Sequence, residues 1–193
     1  MSLLTKFLDD PISYTGKELR PHWVAEKMQK FGSGVVAFVG DCDVPTSEMV
    51  DQEDSFQGNH IRSKQMLHFL GEWFEGDLHS AILRQRLWIA DFKDVLQSKL
   101  SSSFQDKIIR RGNDLYILSA GKEKKLSVSI VTASPVSTLF HFGVNIDASG
   151  APVSAIGLKE LSVNPKELAL EMLQRWSSEW DSITKARAKV SPR

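Results

Sequence analysis

The sequence predicts an α+β fold in which a largely antiparallel, mixed sheet is flanked by helices. Asp77 to Leu100 and the stretch beginning at Asn164 repeat apolar residues at helical spacing. Ile108 to Ile146 instead alternates with a period of two and is cut by turn residues. Val35 to Val39 is a short valine-rich run between Gly34 and Gly40, which suits a strand covered on both faces.

In chain order, Ile12 to Tyr14 reads as a short strand followed by the turn Thr15-Gly16-Lys17. Pro21 stands where a helix begins and Gly32 where it ends, with Trp23, Val24, Met28 and Phe31 as its apolar face. Val35 to Val39 is then a central strand. Asp41 to Asp54 is rich in carboxylates, carries Pro45 and has few apolar residues, so it reads as a loop with at most one helical turn. A helix over Ser63 to Phe74 is expected from Met66, Leu67, Leu70 and Phe74, and a longer one over Asp77 to Leu100 from Leu78, Ile82, Ile89, Phe92 and Leu96, capped by Asp77. Ser101 to Ser103 breaks the helical pattern. Turn signals at Gly112-Asn113, Gly121 and Ser134-Pro135 divide the following strands into an antiparallel meander. The last helix opens at Asn164-Pro165 with Glu167 three residues past the cap, buries Leu168, Met172, Leu173, Trp176, Trp180 and Ile183, and runs into a basic tail over Lys185 to Arg193. No repeat, low-complexity linker or composition shift divides residues 1–193, so one domain is expected.

Composition narrows the partners. Lys plus Arg and Asp plus Glu stand at 24 each in 193 residues, so no net field draws the chain to nucleic acid or to an anionic membrane. One cysteine, Cys42, closes no disulfide within the chain and supplies no zinc cluster, and its place between Asp41 and Asp43 disfavours a thiolate. No basic leader or bilayer-length apolar run appears, so a cytoplasmic protein is expected, with homodimerisation compatible. Gly32-Ser33-Gly34 and the residues after it match a dinucleotide fingerprint in letters but open a strand instead of a helix. Phosphate-binding loop, serine-elbow and zinc-helix motifs are absent.

The chemistry points to Lys124 through Asp147. Alternation sets Leu126, Val128 and Ile130 on one side of the first strand and Lys125, Ser127 and Ser129 on the other. In the second, Phe140, Phe142, Val144 and Ile146 oppose His141, Gly143, Asn145 and Asp147. If the strands pair, Lys125, Ser127, Ser129, His141 and Asn145 share a polar floor, with Gly143 a notch where a ligand approaches the backbone. His141 is the histidine on that floor suited to acid or base work. Asp41, Asp43, Asp51, Glu53 and Asp54 are oxygen donors of the kind Mg²⁺ takes, although a solvated loop is the simpler account of them. Arg20 and His22 stand at the mouth of the first helix, where an anion is favoured, and Arg84 and Arg86 read as surface groups.

Three segments carry a resemblance. Arg111-Gly112-Asn113-Asp114-Leu115, Lys124-Lys125-Leu126-Ser127-Val128-Ser129 and Phe140-His141-Phe142-Gly143 stand in the order and spacing seen in lipoate protein ligases. The resemblance implies a biotin/lipoate ligase-like fold, with Lys125 contacting the carboxyl and phosphate oxygens of an acyl-adenylate, Asn113 and Asp114 beside the nucleotide, and ATP with Mg²⁺ as cofactors. Over nearly its full length the chain also resembles the family called domain of unknown function 366, for which Phe38 to Pro45, Val50 to Asp54 and Ser127 to Asp147 are typical. It departs from the ligases at Val128, where they have glycine, and it lacks their arginine- and glycine-rich substrate loops. The leading expectation is a ligase or acyltransferase-like enzyme that binds a carboxylate or nucleotide-like small molecule around Lys125. The alternatives are a non-catalytic binding module that keeps the fold, or a scaffold subunit that self-associates.

Overall fold

The computed structural model describes residues 2–191 as eight strands and four α-helices. The larger sheet runs β1 (Leu4–Phe7), β2 (Gly34–Val44), β3 (Ile61–Trp73), β8 (Thr138–Asp147), β7 (Ser127–Ala133), and every pair in it is antiparallel except β1 with β2. A smaller antiparallel sheet joins β4 (Ile108–Arg111), β5 (Asp114–Ser119) and β6 (Lys122–Lys125). The predicted fold class is therefore the observed one. The expected continuous meander, however, divides at Leu126, where the chain leaves the small sheet and enters the large one.

The valine-rich run lies inside β2, with Val35, Val36, Ala37 and Phe38 all fully buried. This strand extends through Val44, further than the sequence suggested, and a 3₁₀ turn at Thr46–Glu48 and the short α2 (Gln52–Phe56) fill the rest of the acidic stretch. The expected strand at Ile12 to Tyr14 reduces to one bridge between Tyr14 and Cys42; the true first strand is β1.

The largest correction is β3, expected as a helix over Ser63 to Phe74. From Met66 to Trp73 every residue is buried, so both faces are covered and no apolar–polar alternation is visible. Leu67, Phe69 and Trp73 enter the core beneath the long helices, while Met66 and Leu70 join a second core under α1 (Trp23–Met28) and the N-terminal segment. Met66, Leu67, Leu70 and Phe74 mimic a helical stripe only because both faces are filled.

α3 (Leu78–Lys99) and α4 (Pro165–Ala188) begin at Asp77 and Asn164, whose side chains accept backbone N–H groups of the first turn. Trp88 of α3 and Trp176 of α4 meet edge-on, with ring centroids 5.1 Å apart. Leu78, Ile82, Ile183 and Phe31, expected on buried faces, are exposed. The buried stripe of α3 instead uses Ala81, Gln85, Trp88, Ile89, Phe92, Val95 and Leu96. No helix among the described residues is long and apolar enough to cross a membrane.

Candidate functional site

Lys125 ends β6, directly opposite Tyr116 of β5, and Asp114 lies two residues before Tyr116 on the same strand face. The Lys125 Nζ meets Asp114 Oδ2 at 2.8 Å. On its other side the Lys125 backbone is clamped by residues 154–156: its N–H donates to Ser154 O at 2.9 Å, and its carbonyl accepts from Ile156 N at 3.0 Å. The ammonium is thus fixed from two sides and 30% exposed, at the wall of a cavity of about 590 Å³. Burial works against its charge, but the Asp114 carboxylate outweighs that and holds the lysine above its ordinary value. Burial pushes the Asp114 carboxyl up; Lys125 pulls it back, and the nearby Asp54 charge adds to the rise.

Asn113, Asp114, Lys125, Ser129, His141 and Asn145 all line this cavity, so the structure gathers six of the eight expected site residues. Asn113 and Asn145 spend side-chain groups on the scaffold. The Asn113 amide donates to Ser129 O at 2.7 Å, and the Asn145 amide donates to Lys125 O at 3.3 Å.

Ser127 and Gly143 do not join the lining, and the face predicted for β7 is inverted. Ser127 pairs with Val144 and Ser129 with Phe142, so both serines share the helix-side face, while Val128 and Ile130 pair with Gly143 and His141 over the cavity. Ser127 Oγ accepts from Leu115 N at 2.9 Å. Ser129 Oγ accepts from Gln85 at 2.8 Å and donates to His141 O at 2.9 Å. These hydroxyls tie the small sheet and α3 to the large sheet. A single alternation does not run from Lys124 to Ile130: the chain changes sheet at Leu126, and the phase reverses there. The Gly143 notch is filled as well: a Cβ there would lie 2.8 Å from Met66 Cε and 3.2 Å from His141 Cε1.

His141 forms part of the floor, but as a buried ring. Its Nε2 lies 3.1 Å from His68 Nδ1, and Tyr14 stacks on it with centroids 3.9 Å apart. Phe38 stacks on His68 in turn. Burial drives both imidazoles toward the neutral form; His68 falls from 6.5 to about 4, and His141 is held well below its ordinary value by burial and by His68.

Asp51, Asp54, His60 and Arg62 also line the cavity, and β3 begins there at Ile61. Asp51 and Asp54 belong to the acidic stretch whose oxygen donors the sequence marks, whereas His60 and Arg62 are not among the expected site residues. The lysine and arginine of the lining are both engaged, Lys125 with Asp114 and Arg62 with Asp43, and the His60 ring lies 3.0 Å from Asp43 Oδ1. Asp51 caps α2, Asp54 accepts from the Asn59 amide, and neither closes an ion pair among the described residues. No three His, Cys, Asp or Glu side chains among the described residues are grouped to hold a metal ion.

The remaining candidates are structural. The backbone N–H of His22 donates to both Glu72 carboxylate oxygens, at 3.0 and 2.9 Å, so the anion at the mouth of α1 is the protein's own. Arg20 pairs with Glu26. Arg84 lies over the Trp73 and Trp180 rings. Cys42 is buried, and its thiol is pushed up to about 12 by burial and the flanking aspartates.

This architecture is that of the biotin and lipoate protein ligases. The biotin protein ligase from Aquifex aeolicus in complex with biotin and ATP superposes with a TM-score of 0.55 at 18% identity, over 90% of this chain and 69% of that one. The bi-partite lipoate protein ligase of Thermoplasma acidophilum gives 0.54 at 14% identity, over 93% and 83%. The chain itself belongs to the family Domain of unknown function (DUF366), whose model matches residues 3–191. A protein of unknown function from Pyrococcus horikoshi has the same structure at a TM-score of 0.87 and 33% identity, over 98% of this chain and 99% of that one.

Proposed function

We propose that the cavity binds a carboxylate or nucleotide-like small molecule against Lys125, and that the chain is a ligase or acyltransferase-like enzyme. The observation that carries this reading is the ammonium itself: half-buried, fixed by Asp114 and by the 154–156 backbone, and set in the wall of a cavity of small-molecule size. A charge held in place and partly shielded from water interacts strongly with an anionic oxygen and needs little reorganisation to do so. Such an oxygen takes over part of the contact that Asp114 now makes. In the A. aeolicus ligase complex the ligands are biotin and ATP; the corresponding proposal here is ATP with an organic carboxylate. Because Lys125 and Arg62 are already paired, a polyanion entering alone meets the carboxylates of Asp51 and Asp54, neither of which closes an ion pair among the described residues. Mg²⁺ carried by the nucleotide relieves that repulsion, and Asp51 and Asp54 are the protein oxygens at hand for it.

Thermal shift tests the reading, using ATP with Mg²⁺, ATP without it, and short fatty or ring carboxylates. ATP with Mg²⁺ is expected to raise Tm, ATP alone to raise it less, and Lys125→Ala to lose most of either response. An undiminished response in that variant removes Lys125 from the site. Release of pyrophosphate when ATP and a carboxylate are supplied together distinguishes an enzyme from a binding module.

Val128 and Met66 support a second reading, a non-catalytic metabolite-binding module. The Val128 side chain lies on the cavity face and Met66 closes the space at Gly143, so the β7–β8 backbone there is covered where a reacting group would approach. Ligand-dependent shifts without pyrophosphate release would favour it.

A further inference from the structure

The cavity lining has two halves. Asp51, Asp54, Asp114 and Lys125 carry charge, whereas Ile61, Met66, Val128 and Ile130 give it an apolar side. The halves meet at Asn145, whose amide donates to the Lys125 carbonyl at 3.3 Å. Asn145 opens the row Asn145, Gly143, His141 along one face of β8. Val128 pairs with Gly143 and Ile130 with His141, so the apolar side chains of β7 stand beside the same row. A ligand held by an anionic group at Lys125 thus has this row next to it, and Gly143 comes about 7 Å beyond Asn145, one step along a pleated strand face.

At Gly143 the sheet face has a hole, because no side chain rises there. It is plugged from the neighbouring strand. Met66 of β3 pairs with Asn145, and its side chain reaches diagonally toward Gly143, so that its terminal methyl lies 2.8 Å from where a Gly143 Cβ would stand. Met66 is 1% exposed and packs in the second core with Phe38 and Leu70. Of the buried side chains of that core among the described residues, it is the one that also lines the cavity. An unbranched thioether turns about its bonds at low cost, so this plug fills the hole and still yields. The His141 ring, stacked on Tyr14 with centroids 3.9 Å apart, stands at the end of the row.

We infer that Met66 sets the size of the ligand: with its methyl in the hole at Gly143, the cavity takes a carboxylate whose apolar end is short, and the hole is the subsite into which a longer end has to grow. The inference rests on the proposed binding at Lys125 and deepens it by naming the substrate class, a short-chain monocarboxylate. A longer chain must expel the Met66 methyl or stay in water. In an emptied hole, each methylene buried raises affinity about fourfold.

The test is titration calorimetry of straight-chain monocarboxylates from acetate to decanoate, with ATP and Mg²⁺ present, against the parent chain, Met66→Ala and Gly143→Ala. In the parent, affinity is expected to rise over the first members of the series and then stop rising. Met66→Ala removes Cγ, Sδ and Cε, room for roughly two methylenes, so the longest acid accepted should lengthen by that much and bind about tenfold more tightly than it does to the parent. Gly143→Ala puts a Cβ where the methyl now lies. The core behind Met66 is closed, so the side chain turns toward the cavity and the longest acid accepted shortens. This second variant decides the matter if Met66→Ala fails to fold. A parent affinity that climbs steadily to decanoate overturns the inference, as does one chain-length profile common to the parent and its variants. In both of those cases acids still bind, and the reading at Lys125 stands. If no acid binds the parent, that reading fails and the inference falls with it.

Discussion

Two neutral imidazoles in contact inside the sheet make folding sensitive to acid. His68 has a proton affinity of about 4 in the folded state against 6.5 when free, so below pH 6.5 the unfolded chain takes a proton that the folded chain refuses. Stability is complete above about pH 6.5 and falls as the pH drops toward 4, the opposite sense to a histidine stabilised by a carboxylate. At pH 5 His68 alone costs ~2 kcal/mol relative to pH 7.5, and His141 adds to it in the same direction. Urea denaturation at the two pH values measures this, and equal stability at both would contradict the burial of the pair. The individual site residues were partly legible. Lys125, Asn113 and Asp114 all line the cavity, because β5 and β6 form a local hairpin that sets Lys125 opposite Tyr116, two residues after Asp114. Ser127 and Gly143 were placed wrongly, because their surroundings depend on which sheet the chain has joined and on a side chain, Met66, from a distant strand.

Among the elements, β3 is the largest misreading. It sits at the centre of the five-stranded sheet, buries both faces, and so loses the alternation by which strands are recognised. The helices α3 and α4 were legible because one side of each stays wet and because Asp77 and Asn164 mark their starts. Close approach between elements sets the tolerance of two glycines. A Cβ on Gly40 in β2 would lie 1.8 Å from the carbonyl oxygen of Ile12, where the N-terminal segment crosses the strand. Backbone stands in the way, so Gly40→Ala is expected to yield no folded protein. A Cβ on Gly143 meets the terminal methyl of Met66 at 2.8 Å, a flexible group that can turn aside. Gly143→Ala is therefore expected to fold with a loss of about 1–3 kcal/mol. Soluble yield and thermal denaturation of the two variants check the contrast, and equal tolerance would show that the Ile12 crossing is not tight.

At the scale of the whole molecule, the two sheets share one hydrophobic core. Ile108, Leu115 and Ile117 from the small sheet pack in the same cluster as Phe140 and Phe142 from the large one and Trp88 and Trp176 from the helices. One cooperative unfolding transition is expected, with far-ultraviolet circular dichroism and tryptophan fluorescence coinciding; separate midpoints would show that the small sheet melts independently. The sequence by itself determined the fold class, the two long helices and their caps, and the balance of charge, since the helices and caps depend on residues close together along the chain. Only the tertiary structure decided that residues 61–73 form the central strand, that the β7 serines face the helices, and that His68 meets His141 beside a cavity walled by the acidic stretch. Those outcomes depend on which distant surfaces cover each strand, and a strand's own residues do not record what will be packed against them.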